Sequence, residues 1–149
     1  MRRGCVMVQS MDRRVVPNNV LLEDVASLLD EGREVVLAPK GNSMLPFIRE
    51  GRDSVALRKL GDVETGDIVL VRLAGRYVMH RVVAIDGERL TLMGDGNVGL
   101  KEHCTVADVI GTVVWIVRGN KKFKPGKGRL WRALCPLRRV LLALYRRLI

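Results

Sequence analysis

From Asp53 to Val117 the chain is a run of short apolar segments, closed mostly by glycine or aspartate, and that spacing leaves room for little except antiparallel β-structure. Asp53–Arg58 alternates through Val55 and Leu57. Gly61–Asp67 is a turn-rich link with two Gly-Asp pairs, and Ile68–Arg72 is the next strand. Gly75 turns the chain into Tyr77–Ile85, Asp86-Gly87 marks a hairpin, and Arg89–Met93 returns. Val106–Val117 is apolar but too short to span a bilayer, and it contains Asp108; its Val, Ile, Thr and Trp content suits a buried strand. Upstream, Glu34–Pro39 reads as one more short strand. Val20, Leu21, Leu22, Val25, Leu28 and Leu29 follow an Asn18 or Asn19 cap at helical spacing and stop at Gly32. They predict an amphipathic helix over about 20–31 whose carboxylates form a solvated face. The expected class is mostly β, a coiled, barrel-like sheet with one N-terminal helix and a C-terminal amphipathic basic helix. A chain of 149 residues fits one such domain. We place it at 18–118, between an N-terminal segment (1–17) and a basic tail (119–149).

The charge is concentrated in that tail. The chain carries a net +10, yet Arg118–Ile149 alone holds eleven Lys and Arg and no acidic residue, so the remainder is near neutral. Residues 118–128 read as a basic Gly/Pro linker. Beyond it, Leu130, Leu134, Leu137, Leu141, Leu144 and Leu148 fall on one helical stripe, with Arg132, Arg139 and Arg146 turned away and Arg147 at its flank. Pro136 should break this helix and start its second piece. Leucines on one face and arginines on the other suit an anionic membrane surface, each arginine contributing about 1 kcal/mol there. The membrane-surface set is Leu134, Leu137, Leu141 and Leu144 with Arg138, Arg139, Arg146 and Arg147. The competing reading is a helix that docks its leucines on its own domain or on a partner. Nucleic acid ranks third, since no reading module accompanies the charge and aromatics are only 4% of residues. A peripheral membrane location follows from the first reading, and a cytoplasmic one is its alternative. No run of about 18 uncharged apolar residues predicts a spanning helix. Cys5, Cys104 and Cys135 are too few and too widely spaced for a disulfide framework or a metal site.

Chemistry concentrates in three short stretches. Lys40–Gly51, KGNSMLPFIREG, holds Ser43 between Gly41 and Pro46 in a turn that suits an exposed hydroxyl. A serine needs a base to attack a carbonyl at neutral pH. His80 lies in the Tyr77–Ile85 strand on the face of Val78 and Val82, where apolar neighbours keep an imidazole neutral. The same facts describe an ordinary core histidine. His103, beside Cys104, reads as a loop residue and not as a ligand. Asp95, in Gly94-Asp95-Gly96-Asn97, could hold the His80 tautomer, although that tetrapeptide is also a good turn. Backbone N–H groups near Ser43 and Met44, with the Asn42 side chain, would meet an oxyanion. Neither a cofactor nor a metal is expected.

The order GNSMLPFIREGRDSV, GDIVLVR, YVMHRVVAI, LTLMGDGN resembles the signal peptidase family of serine peptidases, which shares its fold with LexA-type self-cleaving repressors; the resemblance spans about Val35–Val117. It implies a coiled β fold and a serine paired with Lys or His on a strand. His80 aligns the chain with the histidine-base branch, the endoplasmic-reticulum and archaeal type. Carried over by position, Ser43 is nucleophile, His80 general base and Asp95 its supporting acid, while Met44 and Pro46 are structural. The expected activity is endopeptidase cleavage of a precursor or leader peptide. The alternatives are a LexA-like self-processing peptidase, and a non-catalytic module of the same fold that binds a peptide or a membrane surface.

Overall fold

The computed structural model describes residues 6–10, 12–16, 18–39, 41–97, 99–134 and 137–149. Cys5, Cys135 and Pro136 lie outside them. The element order is β1 (Val6–Ser10), β2 (Asp12–Val16), α1 (Asn18–Asp30), β3 (Val35–Leu37), β4 (Asp53–Arg58), β5 (Ile68–Leu73) and β6 (Arg76–Asp86). There follow β7 (Arg89–Met93), β8 (Glu102–Thr105), β9 (Val109–Arg118), β10 (Lys121–Phe123), α2 (Arg129–Ala133) and α3 (Arg138–Leu148). The mostly β class is what the chain adopts.

One eight-stranded sheet carries the molecule, in the order β3-β4-β9-β5-β6-β7-β8, with every pairing antiparallel and β10 folded back on the end of β9. Among the described residues no pairing joins β3 to β8, so the sheet is open. Three register shifts bend it, at Ala56/Leu57, Leu70/Val71 and Val82/Ala84; each extra residue increases the local twist. Alternation then sorts the side chains into two cores. Val25 and Leu29 of α1 join Val35, Leu37, Val55, Leu57, Ile68, Leu70, Val113 and Ile116 in one. Val69, Val71, Val82, Leu90, Leu92 and Cys104 form the other. Burying the two α1 side chains contributes about 1.5–3 kcal/mol each, which fixes the helix on the sheet.

Three elements lay outside the sequence expectation. Val6–Ser10 and Asp12–Val16 pair antiparallel as β1 and β2. Lys121–Phe123, read as linker, turns back through Gly119-Asn120 and pairs with β9. The loop assigned to His103 is β8, paired with β7. Short, charged edge strands lack the apolar run that marks a buried strand, which is why neither β8 nor β10 stands out in the sequence.

Candidate active site

β6 brings His80 and Arg81 into the interior on opposite faces. His80 pairs with Val69 of the second core, and Arg81 pairs with Ile68 of the first. Across the other edge Arg81 is opposite Met93 and Val82 is opposite Leu92. One step past the last pair, Gly94 comes opposite His80. The same parity sets Asp95 on the face of Arg81.

The carboxylate of Asp95 accordingly goes to Arg81. The guanidinium donates from Nε to Oδ1 at 2.8 Å and from Nη2 to Oδ2 at 2.7 Å. Its Nη1 donates to the carbonyls of Gly66 at 2.8 Å and Gly126 at 3.1 Å. Arg81 is fully buried and Asp95 is 2% exposed. The expectation that Asp95 supports the imidazole is therefore replaced by a structural ion pair, whose charge still bears on His80 from the side.

A different carboxylate faces the ring. Glu102 of β8 pairs with Leu92, which pairs with Val82, so it shares the face of His80 two strands away. Glu102 Oε2 comes within 3.2 Å of His80 Nδ1. The two atoms approach without hydrogen-bond alignment, and among the described residues neither has another partner. Burial pushes the His80 pKa down, the Glu102 and Asp95 charges push it back up, and the balance leaves it below the ordinary histidine value. His80 is thus neutral at pH 7, with Nδ1 turned to Glu102 and Nε2 to Gly94.

The Ser43 segment arrives at the same glycine. A Cβ on Gly94 would lie 2.5 Å from the Ser43 carbonyl oxygen, 3.1 Å from His80 Nε2 and 3.2 Å from Asn97 Nδ2. A Cβ on Gly96 would lie 2.6 Å from the Asn42 carbonyl oxygen, and the Gly96 N–H donates to the Ser43 carbonyl at 2.8 Å. The two motifs are packed backbone on backbone, which only glycine permits at these distances. The entry to the serine turn is held by Gly41 N–H on Glu50 Oε2 at 3.1 Å. Its exit is held by the buried Asp53, which accepts from Arg49 N, Arg52 and Arg118. Burial opposes ionisation of Asp53, but those bonds outweigh it and its pKa lies below the usual carboxylate range. Met44, Leu45 and Ile48 are buried anchors, while Ser43 is half-buried and Asn42 is exposed. Among the described residues the histidine rings' hydrogen bonds are confined to His103, whose Nδ1 meets Thr91 Oγ1 at 3.3 Å.

The tail closes the site from behind. The Trp131 indole donates to the Asp95 carbonyl at 3.0 Å and Arg146 Nη2 to the Gly96 carbonyl at 3.3 Å. A Cβ on Gly128 would lie 2.8 Å from Arg81 Cζ, so this glycine roofs the guanidinium. Phe47 of the serine turn stacks edge-on against Trp131 at 6.0 Å and lies under Arg81 at 5.3 Å. Arg138, expected on a membrane face, is 2% exposed; its Nε donates to the Trp131 carbonyl at 3.0 Å and it lies over the Trp131 ring. It is anchored by the segment it belongs to and is withdrawn from any outer surface.

The structure therefore brings the Ser43 carbonyl and His80 Nε2 to Gly94 and the Asn42 carbonyl to Gly96, leaves Met44 in the core, gives Asp95 to Arg81, and adds Glu102, Gly94, Asn97 and Trp131, to which the sequence assigns no role. Glu102 had a signal, since it shares a stretch with His103 and Cys104, but only strand pairing reveals which of the three faces the ring. Cys104 packs in the second core, its thiol pushed up to about 11 by burial first and by the Asp108 and Glu102 charges after it, so it stays protonated. No group of three His, Cys, Asp or Glu among the described residues is placed to hold a metal ion.

No curated protein was found to match the chain. Residues 8–114, well over half of it, match the family model described as Peptidase S24-like. The match supports the superfamily expected from the sequence boxes, which holds both LexA-type and signal peptidases. A mostly β sheet, a serine turn seated on a Gly-Asp-Gly loop and the match over residues 8–114 lead to one conclusion: the chain belongs to the Peptidase S24-like family of serine peptidases.

Proposed function

We propose that this protein is a serine endopeptidase of signal-peptidase type that cuts a precursor or leader peptide with a Ser43–His80 dyad. The observation that carries the reading is the convergence of the Ser43 segment and His80 Nε2 on the vacant side of Gly94, with a carboxylate at the opposite ring nitrogen. His80 accepts the Ser43 proton as the hydroxyl attacks the peptide carbonyl, and returns it to the leaving amine. A water activated by the same nitrogen then releases the acyl group. Glu102 is the positioning residue. It favours the Nδ1–H tautomer, leaving the Nε2 lone pair free, and stabilises the imidazolium that forms. The hydroxyl-to-ring hydrogen bond is one that substrate would draw in, as such bonds tighten on complex formation. The N–H groups of Ser43 and Met44, with the Asn42 side chain, are the oxyanion donors, and the Asn97 amide beside Gly94 is available to assist. The substrate pairs as an extended segment with a strand edge.

The test is a mass-spectrometric inventory of new termini after incubating the protein with a mixed peptide library. Wild type should generate termini that Ser43→Ala and His80→Ala do not, with losses of at least about 10³-fold. Equal cleavage by Ser43→Ala would overturn the reading. The S24-like match favours a second reading, self-processing. Intact-mass analysis of the purified chain distinguishes it, since a fragment that vanishes in Ser43→Ala would place the cut bond in the protein itself.

A further inference from the structure

The tail seats only one flank of α3 on the domain. Arg138 and Leu142 are buried and Tyr145 is half-buried, and these residues recur at helical steps of four and three along the inner face. One flank away, Leu137 (54% exposed), Leu141 (36%), Leu144 (52%) and Leu148 (85%) form a continuous stripe, with Val140 (59%) beside it. Docking on the domain, the alternative use of this helix, has thus consumed Leu142 and left Leu134 half-buried, with Leu137, Leu141, Leu144 and Leu148 of the predicted stripe in the open. Arg139 and Arg147 are exposed on the outer faces, and Lys121, Lys122, Lys124 and Arg129 are exposed on the preceding segment. Not one carboxylate lies between Arg118 and Ile149 to neutralise them. Among the described residues no helix is long and apolar enough to cross a membrane.

We propose that the free flank of α3 is a docking surface for an anionic lipid bilayer, the leucine stripe entering the interface and the basic side chains meeting the headgroups. Charge complementarity selects this occupant. A second copy packed on the same stripe would bring two acid-free basic segments face to face, which like-charge repulsion opposes. A bilayer rich in acidic headgroups supplies both an apolar layer and the missing negative charge. The proposal is independent of the reaction assigned to Ser43.

The experiment is co-sedimentation of the full chain with vesicles of phosphatidylcholine alone or mixed equally with phosphatidylglycerol. It compares wild type, Leu141→Glu/Leu144→Glu and Arg139→Gln/Arg147→Gln. Both double variants alter exposed positions, and an unchanged melting temperature checks that each folds. Wild type should bind the mixed vesicles at least about 10-fold more tightly than the neutral ones, and each double variant should lose at least about 10-fold. Equal binding to both vesicle types, no binding, or full retention by the leucine variant would overturn the proposal. So would a wild-type dimer in light scattering that the leucine variant dissolves, since the stripe would then serve a second copy.

Discussion

His80 Nδ1 and Glu102 Oε2 are both buried and, among the described residues, have no partner except each other, and an imidazole so placed is tuned mainly by that carboxylate, with the Asp95 charge adding to it. Since Glu102 raises the His80 pKa against the larger effect of burial, Glu102→Gln should move the acid limb of the kcat/KM profile to lower pH. It should also lower kcat about 10- to 100-fold, because an amide does not stabilise the imidazolium. A purely structural Glu102 would leave the limb where it is, so the pH profile of the variant decides its role. Asp95 answers to a different test. Replacing it by Asn leaves the Arg81 guanidinium buried without its counter-charge, and chemical denaturation should show a loss of about 3–5 kcal/mol. If catalysis by the folded fraction of that variant falls no more than a few-fold, the ion pair is scaffold alone.

The bulge in β6 explains why these two carboxylates exchange roles. Asp86↔Arg89, Ile85↔Leu90 and Ala84↔Thr91 set the hairpin register from the turn. Continued without interruption, that register would set His80 opposite Asp95, the residue the boxes assign to its support. Val83 is skipped, every later pair slips by one, and a one-residue slip carries a side chain to the other face. The strands themselves were legible because Val, Ile and Leu alternate between glycines; Asp53–Arg58 and Arg89–Met93 fall where the pattern predicts them. The turn that carries Ser43 and the strand that carries His80 were legible from their boxes. A bulge leaves no such mark, since Val82-Val83-Ala84 reads as uninterrupted strand. The tail was legible as helix but not as a strap, because a tryptophan in an amphipathic stretch does not announce its acceptor. Trp131→Phe keeps an aromatic edge against Phe47 and removes the bond to the Asp95 carbonyl. It should cost about 0.5–1.5 kcal/mol in urea unfolding. An unchanged midpoint would show that α2 rests on the domain without bracing the loop.

For the molecule as a whole, burial of titratable groups makes acid the destabilising direction. His80 is held neutral, so the unfolded chain binds its proton more readily, and stability present above pH 6.5 should decline as pH falls through the lowered folded value. Asp53, with its pKa depressed, adds a second decline below its ordinary 3.8, as the bonds from Arg49, Arg52 and Arg118 lose their acceptor charge. Thermal unfolding followed from pH 8 to pH 3 should show two steps, and His80→Gln should remove the first alone. The roof over Arg81 also bears on biosynthesis. Gly126 lies 45 residues downstream of the guanidinium it accepts from, and a ribosome delivers about 5–20 residues per second. Until that stretch emerges, Arg81 Nη1 lacks one of its two carbonyl acceptors and the Gly128 backbone does not yet cover the guanidinium. The burial of the Arg81–Asp95 pair is thus finished well after both of its residues have been made.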